Sequence, residues 1–207
     1  MPRQDEIDFE WAAKKYKPPF EPRYVFLFSG HMIDAPGRSE PRFPADKEKS
    51  AAEVIAKKLD ELDAGPRDLS LCGGACGGDL LFAEACLKRG LYLEIRIPFD
   101  EPTFLKESVT FAGEGWRDRY YAVTKNPLTK LLIMPEELGP LPKNANAFER
   151  NNKWQLYSAL AWGPDKVHFI CLWNGKGGDG PGGTKHMIEE VQKRSGRVYI
   201  LDTTILW

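Results

Sequence analysis

The chain has 207 residues, 42% of them hydrophobic and 12% aromatic, which is enough to bury one good core and too apolar for a disordered class. Its 29 basic and 30 acidic residues are interspersed and leave a net charge of −1, so there is no basic footprint for nucleic acid, and a small molecule or a protein is the expected partner. No apolar run approaches the ~20 residues of a membrane span and Met1-Pro-Arg-Gln-Asp-Glu6 is no signal peptide, so a soluble, cytoplasmic protein without membrane contact is expected.

Residues 1–23 read as an arm and a stiff linker, with weak helical character over 5–17 that Pro18, Pro19 and Pro22 stop. A docked segment of the main core and the remnant of a connection to another domain are the alternatives. From Tyr24 to Trp207 a single domain is expected, built by alternation: strand 24–28, helix 45–63, strand 69–72, helix 79–89 closed by Gly90, strand 91–97, an insertion over 99–163, strand 167–173, helix 185–194 and strand 197–201. This pattern predicts a doubly wound parallel α/β sheet, a Rossmann-like three-layer sandwich of strand order 3-2-1-4-5. The switch point then falls between the strands ending at Phe28 and Trp173, where ligands of such sheets lie. The insertion is far longer than a crossover needs, so it holds a crossover helix, 145–162, and extra segments at 100–109 and 115–123 that could form a lid.

Three strand exits share one grammar. The first strand ends at Ser29-Gly30-His31, the second at Gly73-Gly74-Ala75-Cys76-Gly77-Gly78-Asp79, and the fourth at Asn174 to Thr184, where six of eleven residues are Gly. Glycines that empty a strand into a helix N-terminus let backbone amides approach an anion. The expected ligand-binding set is therefore Ser29, Gly30, His31, Gly73, Gly74, Ala75, Gly77, Gly78, Asp79, Asn174, Gly180, Gly182, Gly183 and Thr184. Purely structural turns are the alternative, and the protein would then be an interaction module. The Gly178–Lys185 run misses a Walker loop because Lys185 follows Thr184, and the turn after Cys72 misses the Rossmann fingerprint because Ala75 stands at its second glycine. Cys72, Cys76, Cys86 and Cys171 form no C-x-x-C pair and read as reduced, partly buried thiols; Cys76, near a helix N-terminus, is a candidate for a stabilised thiolate. Neither a metal nor a cofactor is expected.

The Ser29-Gly30 turn, the Cys72-Gly-Gly-Ala-Cys-Gly-Gly-Asp79 turn and the Pro181-Gly-Gly-Thr184 turn, in this order and spacing, resemble the Smf/DprA and Lonely-guy (SLOG) superfamily of Rossmann-like nucleotide-binding domains over about residues 24–202. The chain is also similar to an uncharacterised group of bacterial domains, often joined to other modules, that share its Phe28–Gly37, Ala75–Glu84 and Gly178–Thr184 motifs. The resemblance implies binding or sensing of a nucleotide, cyclic nucleotide or NAD derivative; the other activity it implies is a nucleotide N-glycosidase. Lonely-guy enzymes use Pro-Gly-Gly-x-Gly-Thr-x-x-Glu, whereas here Pro181-Gly-Gly runs straight to Thr184 and Met187 stands where the Glu belongs. A sensor therefore fits better than a hydrolase, with self-association and fusion partners left open. If the chain is an enzyme, its carboxylate comes from Glu149, Asp79 or Asp179, Arg150 stabilises charge, and His31 or His186 moves protons. For Asp79 a helix cap and ribose recognition are both open, and His168 reads as a satisfied core residue.

Overall fold

The computed structural model describes residues 20–176, 184–194 and 197–207. Residues 1–19 of the arm, and Asp179, Gly180, Gly182 and Gly183 of the fourth-strand exit, lie outside the described residues. The short apolar runs form six parallel strands among the described residues: β1 (Val25–Gly30), β2 (Leu69–Cys72), β3 (Tyr92–Ile97), β4 (Thr129–Ile133), β5 (Val167–Trp173) and β6 (Arg197–Asp202). Their order is β4-β3-β2-β1-β5-β6. The expected five-strand order is the β3-β2-β1-β5-β6 run of this sheet, and β4 corrects it: the insertion contributes an edge strand beyond β3. Thr129-Lys-Leu-Leu-Ile133 is short and largely half-buried, so it lacks the continuous apolar signature of the inner strands.

β1 lies between β2 and β5, pairing Val25 with Leu69 on one side and with Val167 on the other, in a register that runs to Gly30 opposite Leu172. Alternate β1 side chains enter different cores, as the pleat requires. Phe26 and Phe28 join the core under α1 (Glu48–Glu61) and α2 (Gly78–Lys88). Val25 and Leu27 join the opposite core, which Leu156 and Ala159 of α6 (Ala147–Leu160) and Met187, Ile188 and Val191 of α7 (Thr184–Lys193) complete. Helices on both faces make this a three-layer α/β sandwich of Rossmann type.

The rest of the insertion is built into the body of the domain. It comprises α3 (Glu101–Ser108), α4 (Glu114–Thr124) and α5 (Met134–Leu138), ahead of α6. On α4, Arg119 grips Glu84 of α2 through two bonds of 2.6 Å and Glu48 of α1 at 2.7 Å, while stacking 4.2 Å over Trp116. Tyr120 beside it is fully buried. The Gly115–Val123 segment is thus a packed helix rather than a lid. The end of the linker is docked as well: Arg23 pairs with Asp68 at 2.8 Å and with Asp63 at 2.7 Å. A short four-residue helix, α8 (Thr203–Leu206), follows β6, and Trp207 stacks on Phe43.

Candidate functional site

In a right-handed crossover the helix runs antiparallel to the strands, so its N-terminus lies at their carboxyl edge. α2, α6 and α7 obey this rule and open onto one cavity of about 400 Å³ at the β1–β5 switch point. Three strand exits line it: Ser29, Gly30 and His31 after β1, Gly73, Ala75 and Asp79 after β2, and Trp173 ahead of Thr184 after β5. The volume is within the ~300–1,000 Å³ range of ligand pockets.

The exits are also hydrogen-bonded to one another. Ser29 Oγ lies 3.2 Å from Thr184 Oγ1, joining the end of β1 to the first residue of α7. His31 is the main connector: its N–H donates to Leu172 O at 3.1 Å, its carbonyl accepts from Gly78 at 3.0 Å, and its Nε2 accepts from the Asn174 N–H at 3.2 Å. An Nε2 that accepts carries no proton. Burial and then Arg42 lower its pKa to about 4, so this histidine is neutral at pH 7 and does not supply the proton near neutrality that its residue type suggested.

Asp79 has a different role from a helix cap. α2 begins at Gly78 with Gly77 as its cap residue, and the Asp79 carboxylate folds back onto the glycine turn, accepting the Ala75 N–H at 3.3 Å. Burial pushes its pKa up to about 7 against the pull of the Ala75, Gly73, Gly30 and Gly74 amides. The protein's own carboxylate therefore occupies the amide nest after β2. A Cβ on Gly73 would lie 2.8 Å from that carboxylate oxygen. Gly74 and Gly77, at φ +76° and +89°, serve the turn's shape and do not line the cavity, and neither does Gly78. Asn174 touches the site through its backbone bond to His31.

Two expected residues lie elsewhere. Phe148, Asn151, Asn152 and Gln155 line the cavity, at i, i+3, i+4 and i+7 of α6, and so occupy one helix face. Glu149 and Arg150 are turned off that face. Glu149 pairs with Lys153 at 2.9 Å, and the Arg150 guanidinium donates to the carbonyls of Leu138, Gly139 and Pro140 at the end of α5. Asn151, Asn152 and Gln155 carry no charge to mark them in the sequence; the i, i+3, i+4, i+7 spacing from Phe148 is the signal that separates them from Glu149 and Arg150. Arg42, Pro98, Phe104, Ser108 and Asn146 also line the cavity and were not anticipated. Met32 and Phe148 form apolar parts of its lining and are 41% and 44% exposed.

Among the described residues no cluster of His, Cys, Asp or Glu could hold a metal ion. All four cysteines are buried, and burial raises the Cys76 pKa to about 12, the opposite of a stabilised thiolate. His168 is a core residue, with Nδ1 3.1 Å from the Tyr199 hydroxyl and Nε2 3.0 Å from Arg197.

No protein-family model and no curated protein sequence matches the chain. Among solved structures it is similar to the DNA processing protein A (DprA) of Streptococcus pneumoniae, at 16% identity and a TM-score of 0.47 over 86% of this chain; the chain spans 50% of that protein's length. It is also similar to the protein TM1055, at 14% identity and a TM-score of 0.39, over 86% of this chain and 91% of that one. No helix among the described residues is long and apolar enough to cross a membrane.

Proposed function

We propose that the cavity at the β1–β5 switch point binds a nucleotide-derived ligand and that the protein acts as a binding or sensing module. The observation that carries this reading is the convergence of the α2, α6 and α7 N-termini on one concave site. The positive ends of their helix dipoles favour an anionic group. Since Asp79 fills the nest after β2, the anion belongs on the other side, by Ser29 and Thr184, with Arg42 the cationic side chain lining the cavity among the described residues. Asp79 is then placed to accept from a ribose hydroxyl. The motif resemblance to SLOG domains implies the same ligand class.

The test is a thermal-shift screen of the purified chain against nucleoside phosphates, cyclic dinucleotides and NAD derivatives. A ligand at a hundred times its Kd stabilises by about 2.7 kcal/mol. Thr184→Val should weaken the response; a chain whose melting no compound moves would remove the proposal.

One observation favours a second reading, N-glycosidic hydrolysis. A carboxyl with a pKa of about 7 is suited to general acid or base work, and Asp79 is such a group inside the cavity. Against it, Asp79 is the only carboxylate among the described lining residues, while glycoside hydrolysis ordinarily needs two. Mass spectrometry after incubation with nucleoside monophosphates and NAD decides: free base released by the protein and lost in Asp79→Asn establishes the hydrolase, and intact ligand leaves the sensor.

A further inference from the structure

The lining of the cavity differs in chemistry from element to element. Ser29, Thr184 and Asp79 come from the strand exits and the helices that follow them; the wall formed by the close of α3 and the first half of α6 has no charged side chain among its described lining residues. Two polar atoms of that wall have no hydrogen-bond partner: Ser108 Oγ and Asn151 Oδ1. Their residues are 1% and 3% exposed and both line the cavity, so a partner for them must come from within it. An unpaired buried polar atom costs about 1–3 kcal/mol, which a protein retains when something else completes it.

The chemistry of the missing partner follows from the anchoring of Asn151. Its Nδ2 donates to the Arg96 carbonyl at 2.7 Å, so the amide cannot flip without losing that bond, and Oδ1 is held as an acceptor. The strand segment that offers the carbonyl is itself held: Arg96 pairs with Glu94, bonds Ser158 and stacks 4.5 Å over Trp154, with both charged side chains 2% exposed. The partner of Asn151 must therefore donate. It must also be neutral, because the wall offers no carboxylate and the positive end of α6 disfavours a cation. The Ser108 hydroxyl can rotate and takes either role.

Resting on the nucleotide reading above, we propose that Asn151 and Ser108 read the ligand's heterocycle, and that the group they read is an exocyclic amino or carboxamide N–H. Heterocycles that present no N–H donor leave Asn151 Oδ1 unpaired and are rejected.

Calorimetric titration of the purified chain with two ligand pairs tests this. Adenosine monophosphate is compared with purine riboside 5′-monophosphate, which lacks the amino group, and NAD with its 3-acetylpyridine analogue, which lacks the carboxamide N–H. The donor-bearing member of at least one pair should bind roughly tenfold tighter, as one buried hydrogen bond implies. Asn151→Ala should bring the ratio to near unity. Ser108→Ala serves as the control for folding: its hydroxyl has no partner to lose, so melting should be unchanged or raised while affinity for the preferred ligand falls. Equal affinities within both pairs overturn this proposal and leave the nucleotide reading standing, as does an unaltered preference in both variants. Absence of binding by all four compounds overturns this proposal, and the nucleotide reading falls with it when the thermal-shift screen is silent as well.

Discussion

Replacing Asp79 by asparagine should alter how stability depends on pH. Burial takes this carboxyl from 3.8 to about 7, because charging it inside the fold costs more than the surrounding amides return. Between those values the native chain holds a proton that the unfolded chain has released. The contribution is therefore complete below about pH 4 and is lost as pH rises through 7. At about 1.4 kcal/mol for each tenfold change in affinity the whole effect is about 4 kcal/mol, of which about 3 kcal/mol lies between pH 5 and 8.

His31 and His168 work in the opposite sense. Burial lowers both to about 4, so the fold prefers their neutral forms and gains stability as pH rises from 4 towards 6.5. The wild-type profile alone mixes these trends, and only its difference from Asp79→Asn isolates the aspartate. Urea unfolding of both proteins at pH 5, 6, 7 and 8 supplies it. Relative to wild type, the asparagine variant should gain about 3 kcal/mol across that range, or roughly 6–12 °C in melting temperature for a domain of this size. Parallel profiles would show that Asp79 titrates as an ordinary carboxylate, and its suitability for proton transfer near neutrality would go with them.

Gly77→Ala should destabilise by about 3 kcal/mol or more, because its Cβ would meet the Ile33 backbone nitrogen at 2.7 Å and its φ is +89°. Gly37→Ala shares a positive φ but meets nothing within 4 Å, so about 1 kcal/mol is expected; similar losses in denaturant titrations would refute the steric account. Arg119→Ala removes the clamp from α4 to α1 and α2 and should cost about 1–2 kcal/mol. A double-mutant cycle with Glu84→Ala should find coupling between them, and additivity would contradict the clamp. All four cysteines are buried, so a thiol reagent at pH 8 should label them no faster than the protein unfolds. Rapid labelling of Cys76 in the native state would show that its thiol is accessible.

Much of this architecture is legible in the residues because the inner strands are buried on both faces. Tyr24 to Phe28, Leu69 to Cys72 and Val167 to Trp173 read as largely apolar runs, and glycines follow the end of each. Three such exits predict a common edge, and the hydrogen bonds among Ser29, His31, Thr184 and Asn174 lie along that edge. β4 escaped because an edge strand is buried on fewer sides and can include Lys130 without penalty. The placement of Glu149 and Arg150 was not legible from residue type, since charge attracts a functional reading wherever it occurs. Helical phase separates them from Asn151 and Gln155, and phase depends on where α6 begins, which Asn146 sets by capping the Glu149 N–H at 3.0 Å.

Asp79 shows a limit of another kind. A glycine-rich turn before a helix advertises an empty anion nest, and the turn after β2 has the required amides. Whether a nest is empty depends on a side chain that local pattern cannot orient. Asp79 follows Gly78 at the second residue of α2, where a carboxylate can point outward to solvent or fold back over the turn it has just left. It folds back because Gly73 has no side chain to oppose its carboxylate, and because Ala75 offers a donor at 3.3 Å. The glycines that make a phosphate cradle in one protein thus make room for an internal carboxylate in this one. Under the nucleotide reading proposed above, the ligand's anion is then expected toward Ser29 and Thr184, with the β2 exit left to accept from hydroxyl groups.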